Sequence, residues 1–347
     1  MPAAALLCAL VGATASGCGG DEPATAAGST ASTTSRAPAA DVRPFAASSP
    51  WNQRVDGLAQ DPQSAALLRR AAQRVGVIER RGDARPRIER RTVTAGVTVN
   101  TRAWTTPVVS DGVVTAVRCR QRQCGDGEAV RSLRIPADVD PDPRYDGWFT
   151  VIEGRTAYDL WRARRERDGA ISYQFLRVWD LDGSGAGAPG EVAARGSGLP
   201  LFAGLIRARE LETGRIDHAL AISLPGPAQR RYVRPASATN GNGSLRSLPE
   251  GARIRLKPGV RLRDDTIDGR TVTRRQQRAR DAILVALRSY GALVVDRAAV
   301  PTLYAERGIA GETLTGDELR GLGLDDFEVV QLGRILEDPP ADEEQDG

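Results

Sequence analysis

His218 is the only histidine in the chain, so proton transfer near neutral pH falls to it unless a carboxylate or a tyrosine is perturbed. Read as a strand, "IDHALAISL" puts Ile216, His218, Leu220 and Ile222 on one face and Asp217, Ala219, Ala221 and Ser223 on the other. Asp217 then lies on a face of small residues able to floor a groove, with His218 in the core or at its rim. The plain alternatives are a hydrogen-bonded core histidine and an Asp217 paired with an arginine. Glycosidases need two carboxyl groups facing each other across the scissile bond. Glu210 and Glu212, in a short helical segment, diverge on a helix, so at most one can share a cleft with Asp217. Glu250, in "LPEGAR", reads as a solvated turn residue. A polysaccharide lyase needs a base, an acid and a cation for the uronate carboxylate. His218 or Tyr232 fits the proton roles and Arg234 the neutralising one, "RRYVRP" placing Tyr232 and Arg234 on one strand face.

"DLDGSGAGAPGE" sets Asp180, Asp182, Ser184 and Glu191 at positions one, three, five and twelve of a calcium loop, with the Ala186 carbonyl at seven. The context is wrong for an EF-hand: "YQFLRVW" enters the loop as a strand, and Pro189-Gly190 spoil the exiting helix. A calcium loop between strands or a Gly-rich surface turn remains, and no other cofactor is expected. Tryptophan faces stack on sugar rings, so an exposed member of Trp51, Trp104, Trp148, Trp161 and Trp179 would serve glycan binding; Trp161 is the candidate. Cys119 and Cys124 form an isolated pair whose four intervening residues allow a closed turn. A disulfide is expected, since a zinc site lacks further ligands in a chain with one histidine.

Positioning these residues falls mostly to strands. Asp61 and Pro62 open a helix of about four turns ending at Gly76. From Arg91 the pattern turns to period two with β-branched residues, in "TVTAGVTVNT", "GVVTAVRC", "GWFTVIEG", "TAYDLWRARR" and "ISYQFLRVW". "RRYVRP" and "ARIRL" continue it. Arg274 to Tyr290 reads as a helix stopping at Gly291, the strand "ALVVD" follows, and Thr315 reads as an N-cap for "GDELRGL". The expected fold is mainly β, an antiparallel sandwich or jelly-roll-like domain with a few peripheral helices.

The N-terminus reads as an address. An apolar run from Ala3 to Val11, then Ala15-Ser16-Gly17-Cys18, has the layout of a secretory signal with a lipobox-like cysteine, although no basic residue precedes Arg36. Residues 1–17 are expected to be the signal peptide, carrying Cys8 away, and Cys18 to take the lipid. Residues 18–44 are expected to form a disordered Ala/Thr/Ser-rich tether without an aromatic, 45–336 a single β-rich domain, and 337–347 an acidic disordered tail. A cleaved signal and a secreted protein is the other outcome. With 48 Lys+Arg against 44 Asp+Glu over 347 residues, the balance disfavours nucleic-acid binding.

"SPWN" at Ser49, "GSGLPLFAGLIRARELETGRIDHALAISLP" from Gly196, "YVRPAS" from Tyr232, "LPEGARIRLKPG" from Leu248 and "AILVALRSYGALVVD" from Ala282 together resemble a family of secreted or lipid-anchored actinobacterial proteins without an assigned biochemical function. The resemblance spans residues 49–306. It implies an extracytoplasmic single domain with this order of elements and transfers no catalytic residue; some relatives stand beside carbohydrate-associated modules. The expected function is therefore a lipid-tethered β-sandwich that binds cell-envelope or environmental glycan. The alternatives are a lyase or glycosidase using Asp217 and His218, and an envelope structural or protein-interaction role. Membrane contact is expected only through the N-terminal lipid.

Overall fold

The computed structural model describes residues 43–78, 87–262, 266–267, 269–308 and 313–338. The expected signal peptide, Cys18, most of the expected tether and the tail after Asp338 lie outside the described residues. The described chain is mainly β, with antiparallel-rich sheets layered in sandwich fashion and three α-helices: α1 (Ser64–Ala71), α2 (Ala208–Thr213) and α3 (Arg274–Ser289).

The central sheet has six strands in the order Phe327–Val329, Arg253–Leu256, Ala292–Arg297, Leu220–Leu224, Thr302–Tyr304 and Thr98–Asn100. It is mixed: Leu220–Leu224 runs parallel to Ala292–Arg297, and Thr98–Asn100 parallel to Thr302–Tyr304. Both of its faces are buried. Leu220, Ile222, Ala292 and Val294 point into one core, with Leu67 and Leu68 of α1 and Ile283 and Leu287 of α3. Ala219, Ala221, Leu293 and Val295 point into a second core with Trp51, Phe202, Trp148 and Trp179. A third core lies between two four-stranded sheets, uniting Phe149, Leu160 and Leu176 of one with Val117, Leu133 and Ile171 of the other.

Local sequence explains α3 well. Thr273 accepts from the Gln276 amide at 3.2 Å while Gln276 Oε1 accepts from the Thr273 amide at 3.0 Å, a reciprocal cap. The helix ends where Gly291 takes φ +68, with the Ile254 carbonyl 2.4 Å from the place of a Cβ. The first helix is shorter than its periodicity predicts. It stops at Ala71, and Gln73–Ile78 pairs instead with Arg87–Thr92, so tertiary pairing overrides the helical pattern. Asp61 still serves its start, accepting from the Gln63 amide at 2.8 Å. Thr315 donates both its amide and its hydroxyl to Glu318 Oε1, at 2.6 and 2.8 Å, around a turn that never becomes a regular helix. The acidic end is ordered further than expected: Ile335–Glu337 pairs with Arg231–Val233, and Asp338 accepts from the Thr239 amide at 3.1 Å.

Candidate functional site

Two of the sequence-predicted catalytic residues meet. Glu210, in the first turn of α2, accepts from the Arg207 amide at 2.9 Å, and its other oxygen lies 2.8 Å from His218 Nε2. His218 precedes the central strand, which begins only at Leu220, and its Nδ1 lies 2.9 Å from the Ala219 carbonyl. A carbonyl only accepts, so Nδ1 carries a hydrogen and the pair holds a proton between Nε2 and Oε1. Burial pushes the Glu210 carboxyl up, but the charge and hydrogen bond of His218 outweigh it and leave Glu210 below its usual range. The pair ties α2 to the central sheet.

The other candidates are elsewhere. Asp217 is exposed and bonded to Arg215 Nε at 2.6 Å. The small-residue face beside it is no groove: Gly204 and Trp51 close over Ala221, a Cβ at Gly204 falling 2.5 Å from the Ala221 amide and 2.6 Å from the Trp51 ring. Tyr232 is buried in the second core. Its strand ends at Val233, so Arg234 does not share its face; the guanidinium donates to the Gly187 and Ala236 carbonyls. Asp217, His218, Tyr232 and Glu210 therefore do not converge on one point.

In the expected calcium loop, Asp182 is held by Arg155 at 2.7 Å, and Glu191 by Arg177 at 2.5 Å and the Ala188 amide at 2.7 Å. Asp180 accepts from the Asp182 amide, and Ser184 bonds within its turn to Ala186. These side chains face separate donors, and the described residues contain no group of three or more metal-ligating acids, histidines or cysteines. Cys119 and Cys124 are joined in a disulfide.

The tryptophans divide. Trp51, Trp148 and Trp179 are buried. Trp161 is half-buried against the second core, with the Arg162 guanidinium 4.7 Å above its ring. Trp104 is 45% exposed. Its backbone sits at φ +53, a conformation a bulky side chain seldom adopts, and buried Thr105 anchors the turn by donating to the Ala305 carbonyl at 2.5 Å. Tyr145 meets the Trp104 ring edge-on, centroids 5.8 Å apart. Beside them Asp142 accepts two bonds from the Arg144 side chain, at 2.9 and 2.7 Å, with Arg307 3.6 Å away. The Arg144 hydrogen bonds hold the Asp142 carboxyl down to about 2. An exposed tryptophan ring, braced edge-on by a tyrosine and edged by fixed charges, can stack on a sugar ring and bond its hydroxyls.

A second constellation was hidden from the sequence. Glu250, expected in solvent, is fully buried with Oε1 unpartnered. Its other oxygen accepts from the Asn240 amide at 3.2 Å, while the Asn240 side chain donates to Asp296 at 2.8 Å. Burial, reinforced by the Asp296 charge, pushes Glu250 up to about 8, and burial raises Asp296 too. Arg195, 1% exposed, donates to the Pro200 and Ala203 carbonyls and lies 5.2 Å over the Tyr304 ring, leaving Nε and Nη2 unpartnered. Tyr304 in turn shares a 2.5 Å hydrogen bond with Ser223. No single motif marks this cluster, because Arg195, Asn240, Glu250, Asp296 and Tyr304 belong to different segments.

Comparison with protein-family models, with curated proteins and with solved structures finds no match. The functional reading rests on the chain's own residues.

Proposed function

We propose that this protein is an extracytoplasmic, lipid-tethered β-sandwich that binds cell-envelope or environmental glycan, with Trp104 and Tyr145 as its stacking surface. The observation that carries the reading is the exposed Trp104 ring, held in a left-handed backbone conformation against Tyr145 beside Asp142, Arg144 and Arg307. The signal-like N-terminus, Cys18 and the motif resemblance support the compartment. Co-sedimentation with insoluble cell-wall and plant polysaccharides tests it. Retention by at least one polymer, lost in Trp104→Ala and kept in Trp161→Ala, is the expected result. Equal retention of both variants would remove Trp104 from the site. Incorporation of labelled palmitate that disappears in Cys18→Ser tests the tether.

A second reading, cleavage of the bound glycan, is favoured by one observation: two carboxyl groups, Glu250 and Asp296, are bridged by one exposed residue, Asn240, whose backbone amide donates to Glu250 and whose side chain donates to Asp296. This acid pair would replace Asp217 and His218 in the catalytic roles. Release of reducing ends by the native protein but not by Glu250→Gln would establish it.

A further inference from the structure

A cavity of about 300 Å³ opens beside the central-sheet strands Arg253–Leu256 and Ala292–Arg297, walled by Pro50, Val233, Pro235, Leu293 and Leu332. Two arginines, Arg234 and Arg253, line it. Arg253 donates to the Gln53 carbonyl at 3.0 Å, the Tyr290 carbonyl at 3.1 Å and the Pro50 carbonyl. Burial pulls it down to about 10, with no acidic group acting to restore it. Arg234 donates only to the Gly187 and Ala236 carbonyls. Neither forms an ion pair among the described residues, whereas Arg144, Arg155, Arg177 and Arg255 each hold a carboxylate. Asp61, which backs Leu332 on the wall, is turned onto the Leu332 and Gln63 amides. A half-buried cation without a counter-charge is costly, and 44 acidic residues were available to supply one.

We propose that this cavity binds a carboxylate-bearing ligand, the acid group held by Arg234 and Arg253 and the body of the ligand resting on Val233, Pro235 and Leu293. The guanidinium fork matches a planar carboxylate. Arg253 already commits three hydrogen bonds to carbonyls, which leaves room for a monoanion rather than a phosphate needing many donors. A volume at the low end for ligand pockets suits one ring. Two sources share this chemistry, a uronic acid residue of a glycan and a free organic acid. The site stands apart from the Trp104 surface and does not depend on it.

Calorimetric titration of the purified protein with glucuronate, benzoate, glucose and inorganic phosphate tests the proposal. Glucuronate or benzoate should bind while glucose does not, the first identifying a sugar acid and the second a free organic acid. Arg234→Gln, at an exposed position, should melt as the native protein does and weaken binding at least tenfold, roughly the loss of one charge-assisted contact. Trp104→Ala should leave this titration unchanged. Arg253→Lys, which keeps the charge, should weaken it less than Arg253→Gln. Absence of binding by both acids, phosphate binding more tightly than either acid, glucose binding as well as glucuronate, or an unaltered affinity in a folded Arg234→Gln would each overturn the proposal.

Discussion

At the scale of single residues, the sole histidine, which sequence reasoning made the first suspect for catalysis, is a tie between two elements. His218 and Glu210 hold one another, and removing the ring leaves a buried carboxylate without its partner. His218→Ala should therefore cost roughly 2–4 kcal/mol in denaturant unfolding while glycan retention persists. Because Glu210 is lowered in the folded protein, the stability it supplies is present above the ordinary glutamate range and is lost as pH falls through the lowered value. Glu250 has the opposite sign. Burial, with the Asp296 charge, pushes its folded carboxyl up to about 8 from an ordinary 4.5, so the folded state holds the extra proton and its contribution drains away as pH rises through that interval. The melting temperature of the native protein should fall by several degrees between pH 5 and 9, and Glu250→Gln should flatten the decline. A decline unchanged in that variant would assign it to other groups.

At the scale of elements, close approach decides which positions tolerate change. Gly204 sits at φ +71 with the Ala221 amide and the Trp51 ring where a Cβ would go, whereas Gly154, at φ +59, faces open space. Gly204→Ala should cost more than about 3 kcal/mol and Gly154→Ala about 1 kcal/mol, since the second carries only the conformational penalty. Thr273→Ala, which removes the cap of α3, should cost about 1 kcal/mol; chemical denaturation ranks the three. The Gly291 stop was legible because it is a local signal. The early end of α1 was not, because the strand Arg87–Thr92 that captures Gln73–Ile78 is set by pairing across a gap that periodicity cannot see. Asp217 was misplaced for a related reason. Alternation correctly separated the two faces of the strand, but a face of alanines reads equally as a groove floor or as a seat for Gly204 and Trp51.

At the scale of the whole molecule, the β-rich sandwich was legible from period-two runs and their turns, as was the Cys119–Cys124 bridge. The parallel pairs of the central sheet and the buried Glu250 cluster were not, since each brings together segments far apart in the chain. The disulfide closes only a four-residue turn, so the double variant Cys119→Ala/Cys124→Ala should lose about 2 kcal/mol, with hydrogen exchange rising in the neighbouring strands while the central sheet keeps its protection. Thr98 lies beside Thr302 across a separation of 204 residues, and the same edge pairing runs to Tyr304. Ordering a contact of that span is slow, and a ribosome delivers the N-terminal partner at about 5–20 residues per second, many seconds before the strand it needs. During that interval the growing chain has no completed central sheet to fold around, and the proposed export through a channel would need such an unfinished, threadable chain.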